Sequence, residues 1–189
     1  KIQGFSSEVP LDVLVEIAHS HGLTMIDDVG AGALVDFSQF GFAPEPTLPD
    51  SVRQGADIVT SSADKLIGAA QGGIILGRKK LIDAVRKNQF ARIVRVGKLT
   101  LAALEATLKL FLDEEIALRE VPTLQMLRRS VDEIRKHAER LAGAIAEKAA
   151  GATVTTVGGF SQMGSGSLPL QNLATTLVAI RPEQGGAES

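Results

Sequence analysis

Cysteine is absent from the 189 residues, which removes disulfides, thiolate catalysis and cysteine metal sites together and fits a reducing, cytoplasmic setting. An excess of one charge is missing as well. Twenty Lys and Arg against 22 Asp and Glu leave a formal net charge of −2, so no overall basic field draws the chain to nucleic acid. Any such contact is local or lies outside this segment. No apolar run approaches membrane-spanning length, no signal peptide is visible, and no membrane partner is expected. What the chain does have is 44% hydrophobic residues, enough to bury the core of one domain or one and a half.

Pro10 to His21 reads as a helix, with Pro in its first turn, Gly22 just past its end, and Leu11, Leu14, Val15 and Ala18 as its apolar stripe. A short strand over Leu23–Ile26 then runs into Asp27-Asp28. A polar loop with Pro44, Pro46 and Pro49 follows, holding a helical turn near Val52. Apolar runs at Ile58-Val59 and Ile74-Ile75-Leu76 read as two buried strands. This order of helix, strand, loop and strand predicts an α/β layer with a mostly parallel sheet. Beyond Gly77 the pattern becomes helical, with Leu81, Ile82 and Val85 on one helix and Leu101, Leu104, Leu108 and Phe111 on another. A charged linker is expected over Asp113–Glu120. One long helix is expected over about Thr123–Ala149, spanning roughly 40 Å at 1.5 Å per residue. Its residues Leu124, Leu127, Val131, Ile134, Ala138, Leu141 and Ile145 are spaced three and four apart, as on a helix joining two domains with one face buried. Strands at Thr153–Val157 and Thr176–Ile180 open a smaller α+β unit. Lys1–Phe5 reads as the end of a strand already in progress, and a Gly-rich tail follows Ile180; the expectation is a piece of a longer protein.

The stretch from Asp57 to Gly77 carries most of the chemistry. Lys65 stands between the two buried runs, beside a turn holding Gly68, Gly72 and Gly73. An amine against a low-dielectric wall loses its proton more easily and becomes a nucleophile toward a carbonyl or aldehyde cofactor. A surface lysine in a glycine-containing turn is the other reading these residues allow. Asp27 and Asp28 stand where an apolar strand stops, the usual place for ligand-facing groups in an open α/β sheet. Paired carboxylates suit Mg²⁺ in nucleotide hydrolases, but no G-x-x-x-x-G-K-[ST] loop is present to hold phosphates. The favoured role is an ion pair with the protonated ring nitrogen of a bound cofactor. Side chains alternate along a strand, so one of the pair points into the site, and Asp27 is chosen.

Other features carry less. Gly30-Ala31-Gly32 is a lone G-x-G with Val35 where a dinucleotide fingerprint needs its third glycine. Gly164-Ser165-Gly166-Ser167 reads as a turn. Arg92 and Arg95 are three apart; on a helical turn they share a face and suit one tetrahedral oxyanion, unless both are snorkelling surface side chains. His19, His21 and His137 are read as structural, and no metal site is proposed.

Five segments together resemble a known family. They are Asp27-Asp28-Val29-Gly30-Ala31-Gly32-Ala33-Leu34-Val35-Asp36, Ser62-Ala63-Asp64-Lys65-Leu66-Ile67-Gly68, the run Lys98 to Leu108, Pro122-Thr123-Leu124, and Ser161 to Pro169. The chain up to about Ile180 resembles the later part of bacterial selenocysteine synthase, the L-seryl-tRNA(Sec) selenium transferase. The resemblance implies a fold-type I pyridoxal-phosphate enzyme. Residues 1–112 would be the C-terminal part of its large cofactor-binding domain, 113–150 a linker and long interdomain helix, and 151–189 part of a small C-terminal domain. It implies that Lys65 forms the Schiff base, Asp27 pairs with the pyridine nitrogen, and Asp64 and Ser62 serve the site. Arg92 and Arg95 would bind selenophosphate. The implied reaction converts seryl-tRNA(Sec) to selenocysteinyl-tRNA(Sec) through an aminoacrylyl intermediate. A homo-oligomer built from dimers is also implied. Where the family commonly shows Gly-Gly-Pro after the lysine motif, this chain has Gly68-Ala69-Ala70. The family's upstream half, with the tRNA-binding domain and most of the phosphate cradle, is not in the chain, so this segment alone is expected to be inactive. Two other expectations stay open beside this one: a related pyridoxal-phosphate lyase acting on a small amino acid or amino sugar acid, and a non-catalytic scaffold.

Overall fold

The computed structural model describes residues 7–162 and 172–183. The strand expected at Lys1–Phe5, the Gly164–Ser167 turn and the Gly-rich tail lie outside them. The chain divides into two units between Leu127 and Arg128, so residues 113–127 go with the first unit rather than with an interdomain linker.

In the first unit, helix α1 (Leu11–Ser20) follows Pro10 and buries Val15. The next strand, β1, is Ile26–Gly30 and not Leu23–Ile26. A strand is defined by its ladder, and the parallel pairing with β2 (Ile58–Ser62) begins only at Ile26↔Ile58. Leu23, outside the ladder, is 64% exposed. Between β1 and β2 a 3-10 turn (Phe37–Phe40) sets Phe37 edge-on to Phe40 and Phe42, and α2 (Leu48–Arg53) starts at a capping box of Thr47 and Asp50. Strand β3 (Gly73–Gly77) returns antiparallel to β2, because the chain reverses through the loop at 63–72. The sheet order is β1-β2-β3. It is mixed, with one parallel and one antiparallel pairing, where a mostly parallel sheet was expected.

One face of this sheet forms the core. Val59 and Ile67 are fully buried with Leu48 and Ala56, and Val29, Ile74, Leu76, Leu108 and Phe111 pack around them. The helices that follow are α3 (Lys79–Lys87), α4 (Gln89–Val94), α5 (Lys98–Leu110), α6 (Glu114–Glu120) and α7 (Pro122–Leu127). The expected charged linker is therefore helix α6. Asp113 caps it by accepting the Ile116 N–H, and Ala117 and Leu118 are its buried side.

The second unit packs α8 (Val131–Ala146) through Ala138 and Ala142 on an antiparallel pair, β4 (Ala152–Ser161) and β5 (Leu173–Pro182). The single long helix expected over Thr123–Ala149 is two helices. Ser130 is extended (ψ 151°) and forms a capping box with Glu133, which starts α8 afresh. Among the described residues no helix is long and apolar enough to cross a membrane.

One buried carboxylate ties the first unit together. Asp57 Oδ2 accepts from the Met25 N–H at 2.8 Å and from His19 Nε2 at 2.9 Å, and its Oδ1 accepts from Arg78 Nε at 2.8 Å. The Met25 hydrogen bond first, then His19, hold the Asp57 carboxyl below the ordinary aspartate range against the effect of burial. A depressed folded pKa adds stability that is present above the unfolded pKa and lost as pH falls through the folded one. Asp57→Asn in the full-length protein is expected to cost about 2 kcal/mol at pH 7. The gap between the urea midpoints of wild type and variant should narrow below about pH 4. A gap that stays constant with pH would mean the charge is immaterial.

Candidate active site

Strand β2 ends at Ser62, and the next three residues, Ala63, Asp64 and Lys65, turn out of the sheet. The loop is held by its backbone: Ala63 N–H donates to Gly72 O (2.8 Å), Ala69 N–H to Ala63 O (2.9 Å) and Leu66 N–H to Ala31 O (3.0 Å). Ala63, Leu66 and Ile67 are buried almost completely. This anchors Lys65, itself half-buried, while Asp64 beside it is exposed. Gly68 turns the loop at φ +68°, and a Cβ there would stand 2.8 Å from Val121 and 2.9 Å from Thr123, so only glycine lets the loop lie against the start of α7.

The register decides which aspartate belongs to which face. Asp27 pairs with Val59, which is fully buried, and Asp28 pairs with Thr60, whose hydroxyl donates to Asp28 Oδ1 at 2.8 Å. Thr60 and Ser62 share a face, and their antiparallel partners on β3 are Ile75 and Gly73. Ile75 and Gly73 line an open, mostly apolar groove of about 960 Å³, together with Val85, Phe90, Val94 and Arg95. Alternation thus turns Asp28 to the groove side with Ser62, and Asp27 to the Val59 side. The two therefore sit on opposite faces, Asp27 half-buried and Asp28 exposed.

Arg92 lies in α4, but that helix ends at Val94, and Arg95 is its extended C-cap (φ −64°, ψ 139°). Arg92 and Arg95 thus stand three apart across the end of α4. Arg95 lines the groove; both guanidinium groups are exposed and have no ion pair among the described residues. The histidines are structural: His19 holds Asp57, and His21 Nδ1 donates to Ile17 O at 2.9 Å. Sequence reasoning missed Thr60 and Asp57, since nothing but the strand pairing and the fold gives either a partner.

The structure thus brings together a half-buried amine in an anchored loop after β2, two carboxylates near the end of β1 on opposite sheet faces, and, over β3, a groove lined in part by Arg95. The family model described as L-seryl-tRNA selenium transferase matches residues 1–189. The chain belongs to this family. Within the L-seryl-tRNA selenium transferases, it is 48% identical to the L-seryl-tRNA(Sec) selenium transferase of Desulfomicrobium baculatum over 183 residues, covering 96% of this chain and 39% of that protein. It is 46% identical to the protein of the same name from Nitratidesulfovibrio vulgaris over 184 residues, covering 96% of this chain and 39% of that one. The chain therefore spans about two-fifths of the length of these transferases. Among solved structures it is similar to D-glucosaminate-6-phosphate ammonia-lyase, with a TM-score of 0.48 and 21% identity over 93% of this chain and 37% of that one.

Proposed function

We propose that this chain is the lysine-bearing part of a fold-type I pyridoxal-phosphate enzyme that converts seryl-tRNA(Sec) to selenocysteinyl-tRNA(Sec) with selenophosphate, in the cytoplasm and as a homo-oligomer. The observation that carries the reading is family membership over the whole chain together with the position of Lys65, half-buried in an anchored loop directly after β2.

The residues fit the cofactor. Lys65 supplies the amine for its aldehyde, and the Ser62 hydroxyl a donor for its phosphate. Gly30, opposite Ser61, leaves open space: no atom lies within 4 Å of where a Cβ would stand. When bound, the group supplies an electron sink for the substrate carbon that loses its proton. A carboxylate facing the ring nitrogen keeps that nitrogen protonated, a part we give to Asp27, half-buried on β1. To Asp64, the exposed neighbour of Lys65 in the chain, we give the part of accepting or returning a proton in the site. Arg95 in the groove, with Arg92 on the preceding helix, offers positive charge to the selenophosphate anion.

The test uses the full-length protein. It is expected to form selenocysteinyl-tRNA from seryl-tRNA(Sec) and selenophosphate. Ammonia release from a small amino acid with no selenium product would replace this reading with a lyase. Arg92→Ala with Arg95→Ala should lower selenophosphate use by about a hundredfold while cofactor binding stays near wild type. Equal loss of both would make the arginines structural.

A further inference from the structure

We infer that residues 78–98, which carry α3 and α4, hold the single-stranded 3′ end of the substrate tRNA, with its phosphates on their cations and a base on Phe90. The inference rests on the seryl-tRNA reading and goes beyond it by placing a tRNA contact on this chain.

Residues 78–98 hold eight of the chain's 20 Lys and Arg but only one of its 22 Asp and Glu, Asp83. The rest of the chain is therefore acidic, and the net charge of −2 conceals one strongly basic stretch. Two of the eight cations are neutralised, Arg78 by Asp57 and Lys79 by Asp83. Lys80, Arg86, Lys87, Arg92, Arg95 and Lys98 are exposed, with no ion pair among the described residues. Like charges gathered on two adjoining helices repel one another, and a polyanion removes that repulsion. Helix α3 packs on β3 and α4, which sets these cations around the groove that Ile75, Val85, Phe90, Val94 and Arg95 line. At about 960 Å³ and mostly apolar, the groove suits the flat faces of bases better than it suits a small anion alone. Asn88 Oδ1 accepts the Phe90 N–H at 2.9 Å and caps α4, which fixes Phe90 in the chain, yet its side chain is 74% exposed. An open aromatic ring in a basic groove is the stacking element of single-strand binding. A duplex hides its base faces, so the ring selects an unpaired strand, and the unpaired 3′ end of a tRNA is the part that carries the amino acid. The groove also reaches Gly73, which pairs with Ser62, and the neighbouring Gly72 carbonyl accepts the Ala63 N–H at the start of the lysine loop. An RNA end laid along the groove is thereby directed to the end of β2 from which that loop departs.

The test measures binding of tRNA(Sec), intact and trimmed of its unpaired 3′ nucleotides, to the full-length protein at several salt concentrations. Phe90→Ala should weaken binding of the intact tRNA about tenfold and leave the trimmed one unchanged, as loss of one stacked base requires. Arg86→Ala with Lys87→Ala should weaken binding of the intact tRNA and lower the slope of log Kd against log salt by about one for each cation removed. The visible band of bound pyridoxal phosphate and the urea midpoint should stay at wild-type values in both variants. Wild-type affinity for intact tRNA in Phe90→Ala, or a wild-type salt slope in the double variant, would overturn the inference. So would equal weakening of both RNAs by Phe90→Ala, or dissociation of a wild-type oligomer by either variant in sedimentation, which would make this surface a contact between copies of the chain. Wild-type protein that binds no tRNA but releases ammonia from a small amino acid would instead remove the seryl-tRNA reading on which the inference stands.

Discussion

Replacing Lys65 by Ala in the full-length protein is expected to abolish the visible absorption of bound pyridoxal phosphate and to lower selenocysteinyl-tRNA formation by a thousandfold or more, on the order seen when a covalent nucleophile is removed. The loop around Lys65 is held by backbone hydrogen bonds and by the burial of Ala63, Leu66 and Ile67, none of which uses the lysine side chain. The urea midpoint should therefore stay where it is. Lys65→Arg should fail as completely, since a guanidinium keeps the charge yet does not deprotonate to attack an aldehyde. A variant that keeps both band and turnover would show that the amine is a bystander. One that loses turnover only because it unfolds would show that Lys65 serves the fold.

The second large effect is expected at Gly32, where a single methyl group should damage stability and cofactor binding together. Gly32 lies at φ +76°, a region that costs any residue with a Cβ. A Cβ there would stand 2.5 Å from Ser61 Oγ and 2.6 Å from the carbonyl oxygen of Ser62. The hydroxyl can rotate away, but the carbonyl belongs to β2 at the residue that leads into the lysine loop. The strand end must shift, so Gly32→Ala should cost about 2–4 kcal/mol, read from the urea midpoint. It should also weaken pyridoxal phosphate binding in whatever protein remains folded. A wild-type midpoint would mean that the close approach of Gly32 to β2 is not needed.

Much of this arrangement was legible in the residues. The runs at Ile58 and Ile74 are β2 and β3, with Lys65 in the connection between them, because short apolar runs bounded by glycine leave few alternatives. Helix α1 was legible from Pro10 and Gly22 at its two ends. The start of β1 was not, because the ladder with β2 fixes it, and the apolar Leu23 gave a misleading signal. Two helix boundaries had local signals that the apolar pattern overrode. Ser130 with Glu133 is a capping box in the middle of the expected long helix, and Asp113 is an N-cap at the head of the expected linker. Which of Asp27 and Asp28 shares a face with the buried Val59 is set by cross-strand register, which adjacent residues do not encode.

The central claim is that the Lys65 amine is where the cofactor attaches. Borohydride reduction of the full-length protein with pyridoxal phosphate, followed by digestion and mass mapping, tests it most directly. The account predicts one reduced pyridoxyl adduct, on the peptide carrying Asp64-Lys65-Leu66. An adduct on another lysine, or none in protein that binds the cofactor, would contradict it.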